Sequence, residues 1–160
     1  MEINFIAILV AAVSTLFIGF IWYNPKFLGT IWMKESGTSE EKMKQSNMLV
    51  VFLLAIFYAF LISFLLQFLV IHQFSAFAAT VDINNVDPSI LNNYMDAYGN
   101  TYRTFKHGAL HGFMTGLFLA FPMIATQALF ERKSFKYSLI NGGFWIVNLT
   151  IMGGIICAWK

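Results

Sequence analysis

Charge is scarce in this sequence, and it is absent where the apolar residues gather. Charged residues make up 11% of the 160-residue chain, against roughly 25% in a soluble domain. No Asp, Glu, Lys or Arg falls inside the four long apolar blocks, so the intramembrane ionisable groups on which coupled transporters usually rely are missing. The one cysteine, Cys157, excludes an internal disulfide and any multi-cysteine metal cluster; within an apolar run it reads as an inert buried thiol. Only 3 prolines stand beside 18 phenylalanines, which excludes a disordered or low-complexity chain. A net charge of +2 is too small to argue for nucleic acid. There is no phosphate loop, dinucleotide fingerprint, nucleophile elbow or paired-carboxylate motif, so no enzyme activity is expected.

What is present is apolar length. The chain is 58% hydrophobic with a mean hydropathy of +0.67. Its apolar residues form four blocks, at about 5–23, 48–74, 107–130 and 137–159, each near the ~20 residues a helix needs to cross a bilayer. The expectation is a single all-α domain over 1–160: a four-helix transmembrane bundle. A short helical extension on the cytoplasmic side precedes span two, and a small extracytoplasmic cap, 75–106, separates spans two and three.

The first block has no basic n-region and no small-x-small cleavage site, so it reads as a retained span rather than a signal peptide. Ala11, Thr15 and Gly19 make a small-residue stripe suited to helix packing. Trp22 and Tyr23 suit the interface, and Asn24-Pro25 ends the helix. Thr38 with Glu41 three residues on fits a capping box, so a helix is expected to start there and run into span two, after a stop at Gly37. Asp87-Pro88 reads as a helix start in the cap, with Gly99-Asn100 ending that helix. Tyr94, Tyr98 and Tyr102 recur every four residues as an aromatic stripe. In spans two and four, Gln67, Asn141 and Asn148 need partners, because an unpaired amide in hydrocarbon is costly.

Span three is the most informative stretch. Gly108, Gly112 and Gly116 fall four apart on one helical face, and with Gly19, Gly143 and Gly154 they are the candidate helix-packing glycines. Pro122 predicts a kink near mid-segment. His107 and His111 are also four apart, while His72 closes span two, so all three histidines are expected near one membrane surface. Two imidazoles at that spacing can bind one metal ion, with His72 as a third ligand; axial haem ligation is the other cofactor chemistry they offer.

Seven of the ten basic residues lie in the connections after spans one and three: Lys26, Lys34, Lys42, Lys44, Arg132, Lys133 and Lys136. Arg103, Lys106 and Lys160 lie on the other side. The positive-inside rule then places both termini and the 75–106 segment outside.

Two stretches carry a resemblance. One is Trp22-Tyr23-Asn24-Pro25-Lys26-Phe27 with Leu28-Gly29-Thr30-Ile31-Trp32-Met33; the other joins Phe130-Glu131-Arg132, Leu139-Ile140-Asn141-Gly142-Gly143-Phe144, Met152-Gly153-Gly154 and Ala158-Trp159. In that order they resemble the bacterial four-span family known as domain of unknown function number seventeen sixty-one. The resemblance implies a small integral protein of the bacterial cytoplasmic membrane and carries over no catalytic residue. The long 75–106 segment and the His107/His111 pair depart from the family's usual pattern.

Three functional expectations follow. The first is a non-enzymatic component acting by helix packing, with lipid, itself or other membrane subunits as partners. The second is a small transporter or channel with a polar path near Gln67, Asn141 and Asn148. The third is a metal- or haem-binding protein using His72, His107 and His111.

Overall fold

The computed structural model describes residues 2–80 and 88–160. In chain order the helices are α1 (Phe5–Trp22), α2 (Gly29–Ser36), α3 (Glu40–Lys44), α4 (Met48–Val70), α5 (Gln73–Thr80), α6 (Pro88–Tyr98), α7 (Phe105–Thr115), a π-helical turn (Gly116–Ala120), α8 (Phe121–Phe130) and α9 (Phe135–Ala158). Four helical segments are long and apolar enough to span a membrane: α1, α4, α7 through α8, and α9.

The spans start where side chains cap them. The Asn4, Asn47, Thr104 and Ser134 side chains accept hydrogen bonds from the backbone N–H of Ala7, Val50, His107 and Tyr137, satisfying donors that have no partner within the helix. α1 stops at Trp22, just before the Asn24-Pro25 pair. α2 stops at Gly37, whose φ of 74° is the left-handed conformation glycine adopts without a Cβ penalty.

Two local expectations are corrected. The cap before span two is Ser39, not Thr38: its hydroxyl accepts from the Lys42 N–H. The charged helix it opens ends at Lys44, and span two begins afresh at Asn47, so no continuous extension joins them. The stop expected at Gly37 ends a separate helix, α2, within the connection after span one. α6 covers the segment expected after Asp87-Pro88, though Asp87 itself lies outside the described residues.

α9 is the central helix. It packs on α1, α4, α7 and α8, and its interface with α7 is the most extensive in the molecule. α7 and α9 are antiparallel: Gly108 meets Gly153 and Cys157, Gly112 meets Leu149, and Gly116 meets Ile146. A Cβ at Gly108 or Gly112 would overlap a backbone carbonyl of α9, so only glycine permits this approach. α1 also runs antiparallel to α9, with Thr15 at Met152 and Gly19 at the Phe144 ring. The core, from Ala11 and Ala12 through Ala59, Leu66 and Met152 to Ile156, lies where α1, α4 and α9 meet.

A π-helical turn stands just ahead of Pro122, where a kink is expected. Pro122 has no N–H to give the Phe118 carbonyl. The helix widens just before it, and the Phe121 N–H reaches back five residues to the Gly116 carbonyl, the pairing of a π-bulge.

Candidate metal centre

The histidine site is assembled at one end of the bundle by two helix ends and a strained turn. α4 terminates at Val70, Ile71 is extended (φ −110°, ψ 97°), and the chain turns so that His72 sits between α4 and α5. Its partners come from the start of α7, which Thr104 caps. The turn ahead of α7 is tied down on several sides. Buried Gln73 donates its amide to the carbonyls of Tyr98 and Thr101, both at 2.9 Å. Arg103 Nε donates to the Cys157 carbonyl at 2.9 Å, and its Nη2 to the Trp159 carbonyl. The Cys157 thiol reaches the carbonyls of Val70 and Tyr102, each at 3.3 Å. One buried thiol thus joins the end of α4, the turn before α7 and the end of α9.

With the backbone so held, the three imidazoles converge. The ring-nitrogen ligand atoms of His72, His107 and His111 lie within 4.8 Å of one another. His72 Nε2 and His107 Nε2 are 2.8 Å apart, and the three ring centroids are separated by 4.6 to 4.9 Å. Zinc–nitrogen bonds of about 2.0–2.1 Å at tetrahedral angles put ligand atoms roughly 3.3 Å apart. That spacing lies above the 2.8 Å of the hydrogen-bonded His72–His107 pair and below the 4.8 Å that bounds the cluster, so the rings would have to shift for three imidazoles to share one ion. His72 is exposed while His107 and His111 are half-buried, which leaves a side open for a further ligand.

Haem suits the arrangement poorly. Two axial imidazoles approach iron from opposite sides of a flat macrocycle, whereas His107 and His111 project from one helix face with rings 4.6 Å apart.

Tyr102 is the site residue that the sequence reading misplaces. It leaves the expected aromatic stripe: Tyr94 and Tyr98 pair on α6 at 5.4 Å, but Tyr102 stacks on the His107 ring at 5.0 Å and 23°. It also meets the His72 ring edge-on at 6.5 Å. It does so with φ 62°, a left-handed conformation that costs a non-glycine residue energy and persists only where its surroundings impose it. The four-residue spacing to Tyr98 hides this, because Gly99-Asn100 ends the helix between them.

The polar candidates Gln67, Asn148 and Asn141 are outside the histidine cluster. Gln67 is buried in α4 and its Nε2 has no hydrogen-bond partner among the described residues. Asn148 is buried in α9; its Nδ2 donates to the Phe144 carbonyl at 2.8 Å and its Oδ1 has no such partner. Asn141 lies at the far end, where its Nδ2 donates to the Tyr137 carbonyl and its Oδ1 accepts from the Tyr23 hydroxyl at 3.0 Å. Beside Tyr23, Trp22 Nε1 donates to the Ile140 carbonyl at 3.0 Å, and Lys133 Nζ donates to the Ser36 carbonyl at 2.7 Å. That end is closed by hydrogen bonds.

The candidate packing glycines all meet neighbours within the same chain. Gly108, Gly112 and Gly116 face α9, Gly154 faces the Phe105 ring, Gly143 faces Trp22, and Gly19 faces Phe144.

No curated protein and no solved structure matches the chain. The model of the family described as "Protein of unknown function (DUF1761)" matches residues 6–157. That span takes in all four membrane-length helices almost whole, with both the glycine seam and the histidine cluster, and the chain belongs to this family.

Proposed function

We propose that this protein binds a first-row transition metal ion at the membrane surface through His72, His107 and His111. The observation that carries the reading is the convergence of three imidazoles, from two separate spans, to within 4.8 Å. Imidazole donors suit Zn²⁺, Cu²⁺ and Ni²⁺, and three of them with one open side match the coordination pattern of zinc sites that keep an exchangeable fourth ligand. The reading is of metal binding, with His72, His107 and His111 as its ligands. The seven-to-three bias of basic residues supports an extracytoplasmic position for the site.

The alternatives have weaker support. The helix-packing reading rests on small-residue faces, and the candidate glycines on those faces meet neighbours within the same chain. A polar path would have to join Gln67 and Asn148 to Asn141, whose amide Tyr23 and Tyr137 already engage.

Elemental analysis of detergent-purified protein, with zinc titration by calorimetry, tests the reading. We expect one metal ion per chain, with binding at least 100-fold weaker in the His107→Ala, His111→Ala double variant. Protein that takes up no zinc, copper or nickel, or a double variant that binds as the parent does, overturns it.

A further inference from the structure

A second site lies at the same end of the bundle, away from the histidines. A cavity of about 500 Å³ opens between the start of α1, the junction of α4 with α5, the end of α6 and the end of α9. Its polar wall is unusually rich in donors. Arg103 borders it, and both hydrogen-bond acceptors of that guanidinium are neutral backbone carbonyls, leaving three of its five N–H groups. Burial pushes the Arg103 pKa below its ordinary value, the sign of a charge held away from water. No carboxylate pairs with it among the described residues. Lys160 borders the same space, as does Asn4, whose side-chain oxygen is already engaged by the Ala7 N–H and whose amide remains. Gln67 lies on the inner wall, 2% exposed, with its Nε2 unpartnered. Of the charged side chains on the wall, Arg103 and Lys160 are basic and Glu2 is acidic. The remaining wall is apolar, with Phe74, Met95, Ile156 and Trp159.

A half-buried guanidinium with no paired carboxylate among the described residues is costly, and a buried amide N–H without an acceptor there adds to that cost. Both are relieved by one ligand that carries acceptors and negative charge. A cavity of this volume, part apolar with a few convergent polar groups, has the dimensions of a small-molecule site.

We infer that this cavity binds an organic oxyanion with an apolar body, its charged oxygens on Arg103 and Lys160, its remaining acceptor toward Gln67, and its apolar part against Phe74 and Trp159. Two sources offer that chemistry: a free carboxylate from the surrounding medium, and the headgroup of an anionic lipid.

Calorimetric titration of the full chain in neutral detergent with benzoate and octanoate addresses the first source. Lipid preference in nanodiscs of phosphatidylglycerol against phosphatidylcholine addresses the second. We expect saturable binding in one arm, weakened at least tenfold in Arg103→Gln and severalfold in Lys160→Gln. It should be unchanged in the His107→Ala, His111→Ala double variant, which separates this site from the metal centre. Because Arg103 also ties the turn to α9, Arg103→Lys serves as the charge-preserving control and should restore much of the affinity. Carboxylate binding identifies a free anion as the ligand, and a phosphatidylglycerol preference alone identifies the lipid. Absence of both, or binding indifferent to both the Arg103 and Lys160 substitutions, overturns the inference.

Discussion

Gly108, Gly112 and Gly116 repeat every four residues along one side of α7 and into the π-helical turn that follows, and His107 and His111 repeat every four residues beside them. The two rows share a helix and a spacing, yet they meet different surroundings. The glycine row is pressed into α9, where backbone meets backbone. The histidine row looks past the end of α4 toward His72 and is half-open. Periodicity places residues on a common face; what the face does depends on what the neighbouring chain brings to it. For the glycines that is a continuous helix; for the histidines it is a chain end, a turn and a third imidazole.

The largest expected effect breaks the glycine row. In Gly112→Ala the new Cβ falls onto the Leu149 carbonyl, a backbone atom that cannot yield without moving α9. Overpacking of this kind costs about 1–3 kcal/mol or more, and with backbone on both sides we expect about 3 kcal/mol. Thermal unfolding in mild detergent, followed by circular dichroism, measures it. A variant as stable as the parent would mean that the seam is looser than drawn.

The next effect sharpens the contrast on the histidine row. His72, His107 and His111 are exposed or half-buried, so in metal-free protein the His107→Ala, His111→Ala double variant should lose under about 1 kcal/mol. Zinc at 100 times its dissociation constant should stabilise the parent by about 2.7 kcal/mol and leave the double variant unmoved. A zinc-dependent shift that survives both substitutions would place the metal elsewhere.

The same contrast explains what the sequence could tell. The four spans were legible because bilayer thickness demands a run of about 20 apolar residues, and the caps at Asn24-Pro25 and Gly37 are chemically explicit. The histidine pair was legible from helical period alone. His72 was placed at the same surface by its position at the end of span two, but how closely it approaches the pair depends on Ile71 turning extended after Val70, a conformation set by tertiary contacts of the turn. Tyr102 was hidden for a related reason: its left-handed backbone is held by the Gln73, Arg103 and Cys157 hydrogen bonds, all long-range. The glycine ladder was seen, but its partner was not. One face of small residues looks alike whether it meets another subunit or another helix of its own chain. The break between α3 and α4 was written in Asn47, a strong cap residue, and was masked by the competing capping box that begins at Thr38.

The smallest expected effect is the control that gives the first its meaning. Gly19 in α1 also sits in a stripe of small residues and also faces α9, but what it faces is the edge of the Phe144 ring. A Cβ there would lie 3.7 Å from ring carbons, an ordinary van der Waals contact. Alanine is the better helix former by up to about 1 kcal/mol in water, and the added methyl fills space without displacing backbone. Gly19→Ala should therefore leave stability within about 0.5 kcal/mol of the parent, on the stabilising side if it moves at all. If Gly19→Ala and Gly112→Ala instead cost the same, close backbone approach would not be what distinguishes the α7 seam, and the glycines of both helices would have to be explained by a property they share, such as helix flexibility. Unequal costs, with Gly112 far the greater, tie the seam to the contact between the backbones of α7 and α9.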